Sequence, residues 1–422
     1  MKYLPRIVDK TLKNKLEGKG AVLIQGPKWC GKTTTAEQVA RSVVYMDEPE
    51  RKLQNIQLAD ISPSIILEGD TPRLIDEWQI APKLWDAVRF AVDHREGKGQ
   101  FILTGSSTPA DISEISHSGT GRFSWLTMRN MSLYESNESS GEVSIKELFE
   151  GKKDISGTNE LDIKRLAYLV CRGGWPDTLE LKESIALETA FDYLEGIVNS
   201  DISRVDNVAR DPERARRIMK SYARNQGTQI AYTEIAKDIS TNELSFTDET
   251  VVSYLKALKK IYVVEDMMSW NPNLRSKTSV RATDTRYYSD SAIAAAALGI
   301  GPDDLINDLN TFGLLFETMC VRDLRVYTEG LNGNLYHYRD RSGLECDTVI
   351  HLRNGNYGLV EIKLGGDRLI NEAASNLLKL ESLIDTEKMK KPIFKMILTG
   401  TDRYAYRRDD GIFVVPIGCL RD

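Results

Sequence analysis

The residues with the clearest chemistry lie at positions 26–33 of the 422-residue chain, where the sequence reads GPKWCGKT. The spacing G-x-x-x-x-G-K-T is typical of a loop whose backbone N–H groups surround the phosphates of a nucleotide. The two glycines let the backbone approach those phosphates closely. The lysine of such a loop reaches the β- and γ-phosphates, and the threonine hydroxyl binds Mg²⁺. A chance glycine-rich turn is the alternative explanation.

The flanking sequence favours the phosphate-binding explanation. Residues 21–25 (AVLIQ) form an apolar run suited to a buried strand, and residues 34–41 have the pattern of a helix. Unpaired N–H groups at the start of that helix would attract an anion. We therefore expect ATP and Mg²⁺ as cofactors. The residues expected to contact the nucleotide are Gly26, Pro27, Lys28, Trp29, Cys30, Gly31, Lys32, Thr33 and Thr34.

Two acids at the end of another apolar run supply the remaining chemistry. Asp76 and Glu77 follow the run that begins at Arg73. Asp76 would hold Mg²⁺ together with Thr33, and Glu77 would polarise the water that attacks the γ-phosphate. Acids are common where strands end in loops, so the two acids alone would be weak evidence for a nucleotide site. Their position after the phosphate loop is what favours that interpretation. Lys32 and Glu77 are accordingly the expected catalytic residues of this region.

A third strand-like run, residues 100–103, leads into Thr104-Gly105-Ser106-Ser107. A polar side chain at such a strand end can sense the γ-phosphate. Small residues also suit a simple turn, which is the alternative for any one of these hydroxyls.

Arg122 follows two glycines in the run 119–122, Gly-Thr-Gly-Arg. An arginine on such a loop can reach the nucleotide of a neighbouring subunit, where it accelerates hydrolysis by about 10³–10⁵-fold. A surface or packing role is the alternative. If Arg122 is catalytic in this way, ATP binds between subunits and a homo-oligomeric ring, such as a hexamer, is expected.

Together these motifs resemble the prokaryotic AAA+-type ATPases, and more narrowly a branch whose C-terminal region is related to PD-(D/E)xK nucleases. The resemblance is carried by YLPR (3–6), the loop 26–33, LIDEWQ (74–79), FILTGSS (101–107) and RGGWP (172–176), the last looking like the Gly-Gly-x-Pro signature of that branch's lid. It covers nearly the whole chain. It implies an α/β fold in which a parallel P-loop sheet is followed by a helical lid, a winged helix and a restriction-endonuclease-like domain.

On this basis we predict four domains. Residues 1–155 would form the ATPase domain, 156–225 the lid, 226–303 the winged-helix domain and 304–422 the nuclease-like domain. The first boundary falls in a polar stretch, residues 151–160. Nucleotide would lie at the carboxyl ends of the parallel strands.

The middle of the chain contains the groups that suit DNA best. A helix beginning at Asp211-Pro212-Glu213 carries six basic residues, which are Arg210, Arg214, Arg216, Arg217, Lys220 and Arg224. Two further helical patterns, 233–239 and 248–261, precede a strand-like run and a basic loop with Arg275, Lys277, Arg281 and Arg286. This order is typical of a winged helix. Because Asp248 and Glu249 begin the second helix and would repel phosphate, we expect backbone contact at most. A solvated helix face and a packing module are the alternatives.

The C-terminal region predicts the element order αβββαβ: a helix at 312–326, strands at 335–338, 346–352 and 357–363, a helix at 371–384, and a strand at 394–398. This order is expected of the nuclease fold named above. Asp347 and the run Glu361-Ile362-Lys363 match its motif. Glu361 and Lys363 alternate onto one face of a strand, where Asp347 could join them.

In such a site the two acids would be the metal ligands and Lys363 would orient the attacking water. Glu317 and Glu345 are further candidate carboxylates. The three motif residues are thus catalytic candidates. A domain that keeps this architecture as a DNA-holding or assembly scaffold is the alternative.

The whole-chain composition sets the remaining expectations. The formal net charge of −6 gives no global sign of nucleic-acid binding, so DNA contact, non-specific or structure-specific, would need local basic patches. No apolar run approaches a membrane span, and five scattered cysteines favour a reducing cytoplasm. We therefore expect a cytoplasmic ATPase that acts on DNA. A nucleotide-dependent switch or protein-remodelling ATPase, and a small-molecule kinase, are the rival functions.

Overall fold

The computed structural model describes residues 2–106, 118–241, 245–272 and 282–422. Its α-helices are α1 (Val8–Gly18), α2 (Lys32–Glu37), α3 (Lys52–Ile61), α4 (Pro63–Ile66), α5 (Leu84–His94), α6 (Ile145–Phe149), α7 (Ile163–Arg172), α8 (Glu183–Gly196), α9 (Ile202–Arg204), α10 (Pro212–Arg224), α11 (Tyr232–Ile239), α12 (Asp248–Lys260), α13 (Ser291–Leu298), α14 (Pro302–Asn307), α15 (Leu309–Gly330) and α16 (Asp367–Ser382).

Its strands are β1 (Ala21–Gln25), β2 (Ser42–Tyr45), β3 (Arg73–Asp76), β4 (Phe101–Gly105), β5 (Phe123–Thr127), β6 (Val143–Ser144), β7 (Gly157–Thr158), β8 (Gly333–Arg339), β9 (Glu345–Leu352), β10 (Tyr357–Lys363), β11 (Phe394–Thr399), β12 (Tyr404–Arg407), β13 (Phe413–Pro416) and β14 (Leu420–Arg421). Short 3₁₀ turns span Trp78–Ile80, Pro176–Glu180 and Ile417–Cys419, and a π-helical turn spans Ile197–Asp201.

The amino-terminal sheet is parallel, as the motif order predicts. Its five strands lie in the order β2-β3-β4-β1-β5. Strands β1 and β4 are buried along almost their whole length, as parallel strands covered on both faces should be. Because the strands are parallel, the loops that follow β1, β3 and β4 meet at one edge of the sheet. The phosphate loop, the acidic pair and the hydroxyl-rich turn are therefore neighbours.

Helix α2 is shorter than the sequence pattern predicts. It begins at Lys32 and ends at Glu37, whereas the pattern extends to Arg41. Three consecutive threonines, whose branched β-carbons crowd the preceding turn, make this a weak helix. The chain then turns directly into β2 at Ser42.

The C-terminal region contains the predicted order αβββαβ, as α15, β8, β9, β10, α16 and β11. These strands belong to a seven-stranded mixed sheet with the order β7-β12-β13-β11-β10-β9-β8. Strand β7 comes from residues 157–158, and β6 pairs with β14 at the end of the chain. The segment around the first predicted domain boundary is thus joined to the C-terminal region by strand pairing, while the four predicted domains remain a prediction.

The middle of the chain is mainly helical. Asp211 caps α10 by accepting a hydrogen bond from the Arg214 backbone N–H, as the sequence predicts. Helices α11 and α12 lie within one residue of their predicted bounds. In place of the expected strand after α12, the described residues form isolated bridges, Val264 with Tyr288 and Met267 with Thr285. Most of the basic loop expected between them lies outside the described residues.

One hydrophobic core joins the middle and C-terminal regions. Its buried residues run from Leu133 to Leu420 and include side chains of α7, α8, α10, α12, α13 and α15. Two smaller clusters lie on the amino-terminal sheet, and a fourth lies between the C-terminal sheet and α16. Within the described ranges, no helix combines the length and apolar character needed to cross a membrane.

Candidate functional site

The backbone of the phosphate loop requires glycine at one position and has left-handed angles at two others. A β-carbon on Gly26 would lie 1.9 Å from the carbonyl oxygen of Met128, so any larger residue would collide with the backbone there. Gly31 and Trp29 both have left-handed backbone angles, with φ of 96° and 63°. Glycine adopts this conformation freely, whereas for other residues it costs about 1–2 kcal/mol. When residues with right-handed and left-handed backbone angles alternate, successive N–H groups point to the same side of the chain. Loops of this kind bind anions there.

Lys32 lies at the centre of this loop. Its buried side chain donates to the carbonyl oxygens of Gly26 (3.1 Å) and Pro27 (2.7 Å). These carbonyls satisfy the ammonium group inside the loop, where a nucleotide phosphate could replace them. Arg6 holds the loop from outside, because its guanidinium donates to the Cys30 carbonyl at 2.8 Å.

The predicted acidic pair meets the loop at the edge of the sheet. Asp76 Oδ1 accepts hydrogen bonds from the hydroxyls of Thr33 (2.7 Å) and Thr104 (2.5 Å). Thr104 is thus the hydroxyl of the TGSS run that bonds to Asp76. Glu77 accepts a hydrogen bond from the Gln79 side chain, and the Ser106 hydroxyl lies 3.4 Å from its carboxylate. Ser107 lies outside the described residues.

Burial alters the electrostatics of both acids. Desolvation raises the pKa of Asp76 and of Glu77 above their ordinary values, and the nearby Lys32 ammonium opposes this rise. A carboxylate held in such surroundings is a stronger base than one in water. Glu77 therefore suits the activation of a water molecule.

A cleft of about 650 Å³ runs along this edge and brings the parts together. Lys28, Trp29, Gly31, Lys32, Thr33, Thr34 and Glu77 are the predicted site residues that line it. Gly26, Pro27 and Cys30 are buried beneath the surface of the loop. Asp76 does not line the cleft itself but is hydrogen-bonded to Thr33, which does. The predicted nucleotide contacts thus form one continuous loop at the wall of one cleft.

Several cleft residues have no counterpart among the sequence-predicted contacts. Lys2, Tyr3, Leu4 and Arg6 form one wall, Met131, Pro176 and Asp177 another, and Asp47 lies near Glu77. Asp47 could have been inferred, because it closely follows strand β2 at the same edge of the sheet. Tertiary packing brings in both groups; the motifs YLPR (3–6) and RGGWP (172–176) include several of these residues, but they did not predict contact with the cleft.

The residues at the acidic end of the cleft fit Mg²⁺. The Thr33 hydroxyl and the Asp76 carboxylate touch each other, and the carboxylates of Asp47 and Glu77 line the same cleft. Mg²⁺ prefers such oxygen ligands and binds through one or two of them together with water and phosphate oxygens. Thr33 and Asp76 are therefore the residues that would hold the ion.

Arg122 lies apart from this cleft. Its guanidinium forms an ion pair with Asp93, with Nε 2.8 Å from Oδ1, on the exposed side of α5. Arg122 does not line the nucleotide cleft of its own chain. Any contact with nucleotide would have to be made across a subunit boundary, and the catalytic role remains a prediction.

The C-terminal candidates do come together. Lys363 Nζ lies 2.8 Å from Asp347 Oδ2 and 2.7 Å from Glu361 Oε2. The pairing of β9 with β10, continued by one residue, sets Asp347 opposite Glu361. Glu317, on α15, accepts a hydrogen bond from the Tyr287 hydroxyl and interacts electrostatically with Asp347 and Lys363. Glu345 instead forms an ion pair with Arg339 at 3.0 Å.

Burial dominates the electrostatics of this acidic cluster. The pKa values of Glu317 and Glu361 are raised, first by desolvation and then by the charge of Asp347. Burial alone would lower the pKa of Lys363, but the two adjoining carboxylates raise it. Asp347 and Glu361 thus contact the Lys363 ammonium group, and burial favours the neutral, protonated forms of Glu361 and Glu317.

The fit of a divalent cation to this cluster is partial. Among the described residues, no three of His, Cys, Asp and Glu converge as a ready-made metal site. Lys363 engages both of the predicted ligands, Asp347 and Glu361. One oxygen of Glu361 (Oε1), however, is buried without a hydrogen-bond partner. An ion such as Mg²⁺, which keeps most of its water, could be held by one or two carboxylates.

The basic residues singled out for DNA are largely engaged by the protein itself. Arg216 pairs with Glu195, Arg217 with Glu213 and Arg224 with Asp238. Arg210 is buried against Asp206, and the Arg214 guanidinium lies over the Phe246 ring. Arg286, expected on the wing, is buried and bonded to Asp266 at 2.7 Å. The basic side chains of α10 therefore mostly pack against the protein or form solvated ion pairs. Arg275, Lys277 and Arg281 lie outside the described residues.

Comparisons with known proteins support the nucleotide site. Residues 18–137 match the model of an AAA domain, AAA_14. Residues 163–304 and 312–420 match two domains of unknown function, DUF8612 and DUF4143. Uncharacterized proteins of Mycobacterium bovis and Mycobacterium tuberculosis are each 24% identical over 355 residues, which is 83% of this chain and 72% of theirs.

A Walker-type ATPase of Pyrococcus abyssi is a distant structural neighbour, with a TM-score of 0.43 and 13% identity over 68% of this chain and 94% of its own. The AAA domain match includes the phosphate loop, Asp76 and Glu77. Together with the parallel sheet that carries them, it places residues 18–137 among the P-loop ATPase domains.

Proposed function

We propose that this protein is a Mg²⁺-dependent ATPase of the AAA+ kind that couples ATP binding and hydrolysis to the binding or processing of DNA. The observation that carries the ATPase part is the meeting of Lys32, Thr33 and Glu77 in one cleft at the edge of a parallel sheet, where Thr33 is hydrogen-bonded to Asp76. The C-terminal acidic cluster supports the DNA part.

Each motif residue at the cleft has a role in hydrolysis. The loop amides and Lys32 bind the β- and γ-phosphates, and Thr33 and Asp76 hold Mg²⁺, which neutralises charge on the phosphates when bound. Glu77 accepts a proton from the attacking water, and Thr104 fixes Asp76. In a homo-oligomeric ring, Arg122 would be supplied to the cleft of the next subunit.

In the C-terminal region, Asp347 and Glu361 would hold a divalent cation, which activates water when bound. Lys363 would stabilise the negative charge that develops on the scissile phosphate. Because the arginines of α10 are mostly paired within the protein, that helix is not expected to be the main DNA surface. We therefore place DNA contact at the acidic cluster of Asp347 and Glu361 and at its surroundings. A structure-specific or non-specific substrate would be recognised through its backbone.

We expect Lys363→Ala to lower divalent-metal-dependent DNA cleavage by about 10²–10³-fold, because a charge-stabilising group is lost. Asp347→Ala should abolish cleavage by removing a ligand. The assay uses duplex, single-stranded and branched DNA with Mg²⁺ or Mn²⁺, with and without ATP. Glu372→Gln is the control, since Glu372 pairs with Arg368 on the exposed side of α16.

Thermal unfolding of each variant separates loss of the site from loss of the fold. Wild-type cleavage that survives both substitutions would show that the assignment of this site is wrong. If no cleavage and no DNA binding occur even at low salt, where phosphate contacts are strongest, the alternative is favoured. The protein would then be a nucleotide-dependent switch or protein-remodelling ATPase whose C-terminal region is a scaffold.

A further inference from the structure

Trp29 combines an unusual backbone with an unusual position. It is a non-glycine residue with φ of 63° inside the phosphate loop, and the residue is 57% exposed. Strained conformations of this kind persist only where surrounding contacts enforce them. The contacts around residues 28 and 29 therefore decide whether the loop keeps the shape that binds phosphate.

Those contacts come from the helical segment that follows the ATPase domain. The Trp29 indole faces the ring of Tyr193, on α8, with centroids 6.0 Å apart and planes tilted by 52°. Tyr193 is buried and packs in turn against Trp175, 5.1 Å away between centroids. The residue after Trp175 is Pro176, which lines the nucleotide cleft.

The adjoining residue is held by the same segment. Lys28 Nζ lies 2.7 Å from Asp201 Oδ1, at the end of the π-helical turn that continues α8. The backbone of Lys28 also interacts with the buried phenol of Tyr193. π-Helical turns inside helices occur frequently at functional sites. Both Tyr193 and Asp201 lie outside the residues that match the AAA domain.

We propose that Tyr193 and Asp201 are positioning residues for the nucleotide site, which hold Trp29 and Lys28 so that the loop amides are arranged for phosphate before ATP arrives. This inference rests on the proposed ATPase function. By linkage, ATP binding must stabilise the contact between the loop and α8 as much as that contact favours ATP. Nucleotide binding is thereby coupled to the placement of the helical segment.

Three substitutions of Trp29 test the backbone argument. Trp29→Ala loses the ring while keeping the steric cost of a left-handed backbone, and should weaken ATP binding by about tenfold. Trp29→Gly also loses the ring but enters the left-handed region freely, so its loss should be smaller. Trp29→Phe keeps a ring against Tyr193 and should restore most of the affinity. The defect should appear in KM more than in kcat, because Glu77 is untouched.

Asp201→Ala gives an independent test, because the proposal and a simple charge effect predict opposite changes in ATP affinity. Removing an acid near a site for an anion should strengthen ATP binding if charge alone matters. The proposal predicts the opposite, a weaker binding, because Lys28 loses its anchor. Glu195→Ala is the matched control, since Glu195 lies on the same helix and pairs with Arg216 away from the loop.

Calorimetry or a fluorescent ATP analogue measures the dissociation constants, with thermal unfolding as the folding check. ATP affinity equal to wild type in Trp29→Ala, or increased in Asp201→Ala, would overturn the inference. Wild-type ATP binding that is lost in Lys32→Ala would still support the proposed function in that case. The two proposals therefore fail separately.

Discussion

Replacing Glu77 with glutamine should leave MgATP binding intact and lower kcat by about 10²–10⁴-fold, the usual contribution of a positioned general base. Glutamine keeps the size of the side chain and its hydrogen bonding to Gln79 and Ser106, but it cannot accept the proton of the attacking water. Steady-state phosphate release gives kcat, and calorimetry gives the affinity for ATP.

The matched control is Glu96→Gln. Glu96 is exposed and precedes the amino end of β4, at the edge of the sheet away from the cleft. If Glu77→Gln hydrolyses ATP at the wild-type rate, Glu77 is not the general base. The acidic pair would then have a metal-binding role only.

The pH profile follows from the same residue. Burial raises the pKa of Glu77, so its carboxylate is lost on acidification sooner than that of an exposed glutamate. The ATPase rate should therefore begin to fall at a pH above the ordinary glutamate pKa of about 4.3. A profile that is flat down to that pH would contradict the assignment.

Removing the Arg322 side chain should cost about 3–5 kcal/mol of stability, because it leaves two buried carboxylates without their partner. Arg322 is fully buried on α15, with Nη2 2.7 Å from Asp323 Oδ1 and Nη1 3.2 Å from Asp290 Oδ2. Asp290 also accepts hydrogen bonds from Asn130 (2.8 Å) and from the backbone of Gly174 (3.0 Å). Through Asp290, the ion pair and these hydrogen bonds join Asn130, the Gly-Gly-Trp-Pro turn and α15.

Urea unfolding of Arg322→Met measures this cost, because methionine keeps much of the volume without the charge. The control is Arg368→Met, which breaks an exposed ion pair on α16 and should change stability far less. If Arg322→Met unfolds at the same urea concentration as the control, the three ion-paired residues do not stabilise the junction as described.

Local patterns were enough to predict that the phosphate loop and the acidic pair lie next to each other. The spacing of glycines and lysine, the apolar run before them and the acids after β3 each specify a short stretch of backbone, and strand order alone then brings Thr33 to Asp76. The alternation of side chains along β10 likewise predicted that Glu361 and Lys363 lie on one face, where Asp347 joins them by contacting Lys363. Such features depend on residues close in sequence or on neighbouring strands.

The rest depended on tertiary contacts, whose partners cannot be read from a local pattern. Tyr3 and Pro176 reach the cleft from distant segments, and Asp201 reaches Lys28 through a π-helical turn. The basic run of α10 suggested a DNA surface, but acids from α8 and α11 pair with its arginines. Arg286 was expected on a wing and is instead buried against Asp266. Charge counted along one helix does not show which partners other elements supply.

The most direct test of the account is a calorimetric titration of MgATP into the wild-type protein and into Lys32→Ala. Lys32 is the one loop side chain whose ammonium group lies buried against the carbonyls of the phosphate loop. We predict saturable binding at one site per chain for the wild type and no measurable binding for the variant, with both proteins folded. Absence of ATP and ADP binding to the folded wild-type protein at millimolar Mg²⁺, or equal binding by the two proteins, would contradict the account.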